Sequence, residues 1–77
     1  MKAYGYAKQN DSEVQELREV TLEVSSTTLR TIADFFNKAA DDMDTMGDKF
    51  WHEHFQDFVE NWSNENSDII VMKKSDS

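Results

Sequence analysis

The chain of 77 residues contains no cysteine and only two glycines. Without cysteine, disulfide bonds, thiolate metal sites and cysteine nucleophiles are excluded, and a reducing compartment is the simplest expectation. Gly5 and Gly47 are too few to form a glycine-rich phosphate-binding loop, and no serine lies in the glycine context of a nucleophile elbow. We therefore expect a protein that is not an enzyme.

Long apolar runs are also missing. The longest, from Ile69 to Met72, has four residues, whereas a membrane-spanning helix needs about 20. The N-terminus lacks the apolar stretch that is typical of a secretory signal. These features predict a cytoplasmic protein that does not associate with membranes.

Basic residues are scarce, with eight lysines and arginines against sixteen acidic residues and a formal net charge of −8. A negative chain repels phosphate backbones and anionic lipid surfaces, so neither nucleic acid nor a membrane is expected as a partner. Residues 39–68 hold nine of the acidic residues and a single base, Lys49, which places the whole net charge in that segment. A basic protein is the partner that this distribution favours.

The length predicts one domain over residues 1–77. A chain this short buries only about 60% of its unfolded surface, so its core is small and a partner or self-association adds stability. A structural homodimer is therefore kept as an alternative.

The N-terminal third predicts two strands. Tyr4 and Tyr6 alternate with small residues, so Lys2–Ala7 is predicted as a short strand. Lys8–Glu16 is polar and has no periodicity, so it is predicted as a connection. Leu17–Val24 is predicted as a half-buried strand because three aliphatic residues alternate with polar ones, namely Val20, Leu22 and Val24.

A long helix is predicted from Thr27 to Met46. Ser25 and Ser26 offer an N-cap, and Gly47 is free to adopt the left-handed conformation that ends a helix. Apolar residues recur between them at steps of three and four, which indicates one stripe along the helix. The residues in this stripe are Leu29, Ile32, Ala33, Phe36, Ala39, Ala40, Met43 and Met46.

The segment from Phe50 to Trp62 allows two interpretations. The spacing of its aromatic residues fits a continuous helix, but a short strand followed by a helical turn is favoured. The apolar run before Lys73 predicts a strand within Asp68–Lys74. The predicted fold class is α+β: a small antiparallel sheet of three to four strands, formed by the N-terminal strands and this one, with one long helix packed on one face.

Acidic and aromatic residues concentrate in the same segment, and this combination predicts a binding surface. Acids in the last turn of the helix face the negative end of its dipole, which argues against a purely stabilising role. Seven of the nine aromatic residues lie in or beside the acidic segment, although Phe36, Phe55 and Phe58 are expected in the core. The predicted partner-binding residues are Asp41, Asp42, Asp44, Asp48, Trp51, Glu53 and Asp57.

His52 and His54 are the only candidates for a metal site. On a strand they project to the same face, and Asp57 or Glu60 would add a carboxylate. A structural role for both histidines is favoured, and no cofactor is expected. A small metal-responsive regulatory domain remains the alternative function.

Four runs together resemble the small immunity proteins of bacterial polymorphic toxin systems. They are LREVTL at 17–22, TLRTIADF at 28–35, HEHFQD at 52–57 and SDIIV at 67–71. The resemblance implies a cytoplasmic protein without catalytic residues that binds a cognate toxin and blocks it, often by covering the active site. It also implies that the run from His52 to Asp57 is a shared structural or recognition element.

Overall fold

The computed structural model describes residues 1–74 and has the α+β architecture that the sequence predicts. In chain order its elements are β1 (Ala3–Ala7), β2 (Asn10–Leu17), α1 (Ser26–Met46), a 3-10 turn (Gly47–Lys49), β3 (His52–His54), α2 (Phe55–Phe58) and β4 (Ile70–Met72). Neither helix is long and apolar enough to cross a membrane, in the part of the chain that the structure describes.

The first two strands form an antiparallel hairpin. Ala3 lies opposite Leu17 and Ala7 lies opposite Asn10, with an irregularity in the pairing between Gly5 and Ala7. A Cβ atom at Gly5 would lie 3.1 Å from Leu17 Cδ1, so the Leu17 side chain occupies the space that a side chain at position 5 would need. The prediction of a strand within Lys2–Ala7 is confirmed.

The predicted position of the second strand is wrong. Lys8–Glu16 is not a connection, because a two-residue turn at Lys8 and Gln9 brings Asn10–Leu17 onto β1. Residues 19–24 hold the apolar alternation and yet form no strand. The physical reason is that alternating apolar and polar residues make a segment suitable for a strand, whereas the position of the turn determines which segment lies next to β1.

The ends of helix α1 confirm the prediction, but the predicted apolar stripe is wrong in part: only Ile32 and Ala39 of it are buried, together with Phe35 outside it. Ser25 caps it, because its hydroxyl accepts a hydrogen bond from the Thr28 amide at 3.1 Å. The helix ends at Met46, and Gly47 follows with a φ of 55° and donates its amide to the Met43 carbonyl. Both ends therefore lie where local chemistry places them.

The C-terminal third contains a second antiparallel sheet. His52 lies opposite Met72 and His54 lies opposite Ile70. The favoured interpretation of residues 50–62 as a strand followed by a helical turn is confirmed, as is a strand within Asp68–Lys74. The single sheet of three to four strands is wrong, because β4 pairs with β3 and not with the N-terminal strands, giving two sheets of two strands.

The core lies between α1 and the C-terminal third. Ile32, Phe35 and Phe55 are its buried centre, and the Phe35 and Phe55 rings meet edge to face with centroids 5.5 Å apart. Phe55 confirms its predicted place in the core, but Phe36 and Phe58 stay 45% and 38% exposed. The hairpin adds nothing to this core, since residues 6–27 are all exposed.

Candidate binding site

A cleft of about 330 Å³ opens between α1, β3 and α2. Phe35 and Phe58 form its apolar wall. The polar residues that line it are Lys38, His52, Glu53, His54 and Asp57. Two of the predicted binding carboxylates, Glu53 and Asp57, thus meet both candidate metal ligands at one place.

Lys38 joins the helix to the strand at this cleft. Its Nζ atom lies 2.6 Å from Asp42 Oδ2, one turn further along α1, and 3.2 Å from Glu53 Oε2 on β3. The two contacts place one positive charge between two carboxyl groups. Hydrogen bonds to Asp42 and then to Glu53 raise the pKa of Lys38, so the ammonium stays charged.

The pKa values of Asp42 and Glu53 are shifted in opposite directions. Hydrogen bonds from Lys38 and Glu53 lower the pKa of Asp42. The pKa of Glu53 is raised, chiefly by its hydrogen bond with Asp42 and further by burial, while Lys38 opposes the rise. Glu53 Oε1 is buried and accepts no hydrogen bond from the residues that the structure describes. Two carboxyl groups form a hydrogen bond with each other only when one of them is protonated. Glu53 is therefore the group of this cluster that accepts a proton first.

His54 is held by Asp68, a residue that precedes β4. His54 Nδ1 lies 2.6 Å from Asp68 Oδ2, and both side chains are mostly buried. A carboxylate only accepts hydrogen bonds, so Nδ1 carries the proton. The other oxygen, Asp68 Oδ1, accepts from the amides of Gln56 at 3.0 Å and Ile69 at 2.9 Å.

The two histidines do not form a metal centre with their neighbours. Their rings lie close together, with centroids 4.9 Å apart, as expected for alternate residues on a strand. However, residues 1–74 contain no group of three or more histidines and carboxylates placed to hold a metal ion. Neither Asp57 nor Glu60 completes such a set.

The remaining predicted residues form a separate group, which we call the helix-end surface: Asp41, Asp44, Asp48 and Trp51. Asp41 and Asp44 lie on the exposed side of α1, and Asp48 lies in the 3-10 turn. Trp51 is 68% exposed. Within residues 1–74 none of these three carboxylates forms a salt bridge.

The structure thus divides the predicted site in two. Asp42 and Glu53 share the single positive charge of Lys38 at the cleft, whereas the carboxylates of the helix-end surface form no salt bridge within residues 1–74. The sequence reasoning missed Lys38 and Asp68. The four-residue spacing of Lys38 and Asp42 was a readable signal, but nothing local marks Asp68, which reaches His54 only through the pairing of β3 with β4.

Comparison with known proteins adds no assignment. The chain matches no protein-family model, no curated protein and no solved structure at a significant level. The resemblance to immunity proteins therefore stays a prediction.

Proposed function

We propose that this chain is a non-enzymatic, cytoplasmic immunity protein that binds a cognate basic toxin and neutralises it. One observation carries the proposal: Asp41, Asp44 and Asp48 form no salt bridge within residues 1–74, and Trp51, three residues after Asp48 in the chain, is 68% exposed. Tryptophan is one of the residue types enriched among the dominant contributors to protein interfaces, and exposed carboxylates supply specificity and a fast encounter with a basic partner.

The position of these carboxylates favours binding over stability. α1 ends at Met46 and carries no basic residue in its last turn. The negative end of the helix dipole therefore lies beside Asp44 and Asp48, and this arrangement is unfavourable in the free chain. A basic partner would relieve the repulsion when it binds.

The cleft is the less suitable contact for a basic partner. Lys38 already holds Asp42 and Glu53, and a partner cation would have to compete with it. Asp57 is exposed at the edge of the cleft and forms no salt bridge in the described residues. We therefore place the main contact at the helix-end surface, with Asp57 as a further contributor.

The first test captures the partner and then measures protection. The tagged chain is used as bait on the lysate and secreted fraction of its source bacterium at low salt, and bound proteins are eluted with a salt gradient. Each captured basic protein is then expressed in a test bacterium with and without the chain. Growth arrest that the chain reverses supports the proposal, and arrest that persists at equal expression contradicts it.

Charge reversal then tests the surface itself. Asp41→Lys, Asp44→Lys and Asp48→Lys are combined, and Asp42 is left unchanged because it pairs with Lys38. The matched control reverses three hairpin acids, Asp11, Glu13 and Glu16, which are also exposed. We expect the first variant to fold, to associate at least about tenfold more slowly with the captured toxin and to lose protection. Equal slowing in the control would show that only net charge matters.

A further inference from the structure

Residues 19–24 have the composition of a strand but no strand to pair with. Val20, Leu22 and Val24 are 56%, 45% and 41% exposed. Within residues 1–74, no backbone–backbone hydrogen bond outside the helices and strands involves this segment. An alternating apolar segment with free backbone groups is a template for pairing with another chain.

The molecule exposes much more surface than its mass requires. Its accessible area is 6889 Å², whereas a compact monomer of 9.0 kDa exposes about 4,900 Å². Its radius of gyration is 13.4 Å, against about 11.5 Å for a compact chain of this length. The excess area, about 2,000 Å², exceeds the roughly 800 Å² per partner that a standard interface buries.

We propose that residues 19–25 pair antiparallel with the same residues of a second copy, around a two-fold axis at Leu22. Leu22 then lies opposite Leu22 of the second copy, and Val20 lies opposite Val24. All three apolar side chains fall on one face, because residues directly opposite each other in an antiparallel pair share a face. The pairing does not depend on the toxin proposal.

The charges of the segment select this register. With the axis at Leu22, Glu19 lies opposite Ser25 and Glu23 lies opposite Thr21, so no like charges meet. Moving the axis to Thr21 places Glu19 opposite Glu23 twice, and moving it to Glu23 places that residue opposite itself. In the two intermediate registers, which are shifted by one residue, apolar residues lie opposite polar ones and the apolar face is lost. Among these registers, only the one centred on Leu22 keeps apolar residues opposite apolar ones without opposing like charges.

Self-complementarity is what favours a second copy over an unrelated partner. A two-fold interface uses the same patch on both subunits, so it requires a segment that matches its own reverse. The strand pair alone would bury too little area. It leads directly into α1, on which Leu29 and Phe36 are 50% and 45% exposed, so the helix offers further apolar side chains for a second copy to cover.

The absence of native cysteine makes crosslinking a direct test. In the proposed register Leu22→Cys brings two Cβ atoms to about 5 Å, close to the distance of a disulfide. Val20→Cys leaves its two copies about 13 Å apart, since they are four residues out of register. Mixing Val20→Cys chains with Val24→Cys chains restores a directly opposed pair.

We expect mild oxidation to crosslink Leu22→Cys and the mixed Val20 and Val24 variants, but not Val20→Cys alone. Sedimentation of the unmodified full chain should give twice the 9.0 kDa chain mass. Leu22→Glu should raise the dissociation constant of the dimer by more than about 100-fold, because it removes two buried leucines and opposes two carboxylates. Thr21→Lys should tighten the dimer through Glu23 of the second copy.

Three results would overturn the pairing. One is a chain that sediments with the mass of a monomer at every concentration tested. Another is a dimer that Leu22→Glu leaves intact, or that Thr21→Lys weakens. The third is a monomer whose Leu22→Glu variant fails to hold the captured toxin, which would assign the segment to the toxin. Circular dichroism of each variant shows that α1 is retained. The first two results are measured without the toxin, so loss of toxin binding through the helix-end surface leaves them unaffected.

Discussion

Asp68 and His54 form the contact that closes the C-terminal third, with 2.6 Å between Asp68 Oδ2 and His54 Nδ1. The same carboxylate caps α2. His54 is the N-cap residue of that helix by position but makes no side-chain cap bond, and the Gln56 amide bonds Asp68 Oδ1 instead. Asp68 thus orients the His54 imidazole and also provides the hydrogen-bond acceptor for the first turn of α2, twelve residues earlier in the chain.

Removing the Asp68 carboxylate should destabilise the chain. Asp68→Ala leaves the Gln56 and Ile69 amides and the His54 ring without their acceptor, at a cost of about 1–3 kcal/mol in the free energy of unfolding. Asp68→Asn keeps one carbonyl oxygen for the two amides, so it should cost less. Urea unfolding measures both. Equal losses would show that charge, not the acceptor for α2, is what matters.

The helix could be predicted almost to the residue because its ends are local. The Ser25 hydroxyl bonds an amide three residues away, and Gly47 ends the helix through its own conformation. The strands could not be placed as well. Val20–Val24 has the stronger alternation, but β2 forms earlier in the chain because the turn after Ala7 sets the register.

The candidate site shows the same division between local and distant signals. The concentration of acidic residues near the helix end is visible in the sequence alone. Their separation into a pair held by Lys38 at the cleft and an exposed surface depends on Lys38 reaching Glu53, fifteen residues away, and therefore on how β3 lies against α1. No spacing in the sequence encodes that contact.

The Ser25 cap should carry measurable stability. Ser25→Ala removes the acceptor for the Thr28 amide and should lower the free energy of unfolding by about 1 kcal/mol. Ser26→Ala is the matched control, because Ser26 is the first residue of α1 and no side-chain hydrogen bond of its hydroxyl is present within residues 1–74. Thermal unfolding that ranks Ser26→Ala as the more damaging change would contradict the assigned cap.

The raised pKa of Glu53 predicts how stability depends on pH. The native state holds the Glu53 proton more tightly than the unfolded chain does, so this group's contribution is fully present below the unfolded pKa of 4.5. That contribution is lost as the pH rises through the higher pKa of the folded state. Asp42 acts in the opposite sense, because its pKa is lowered, and its contribution is lost as the pH falls.

Glu53→Gln isolates the contribution of this proton. Glutamine is neutral at every pH, so the variant should gain stability relative to the native chain as the pH rises from about 4 to about 7 and Glu53 of the native chain ionises. Asp57→Asn, which removes an exposed carboxylate at the same cleft, is the control for the loss of one negative charge. Denaturant unfolding across this pH range measures the free energy of unfolding of both chains. If the variant loses stability relative to the native chain toward pH ~7, the direction assigned to the pKa of Glu53 is wrong.

The helix-end surface predicts a conflict between binding and stability. Asp44 lies in the last turn of α1, where the dipole is negative and which contains no basic residue. Asp44→Asn should therefore raise the free energy of unfolding by about 0.3–1 kcal/mol at low ionic strength, and by less in high salt, which screens an exposed charge. Asp34→Asn changes the net charge equally but lies in the middle of the helix, away from either end, so it reports the effect of net charge alone. If the two variants unfold alike, the dipole argument fails, and the placement of acids at the helix end no longer favours a binding role.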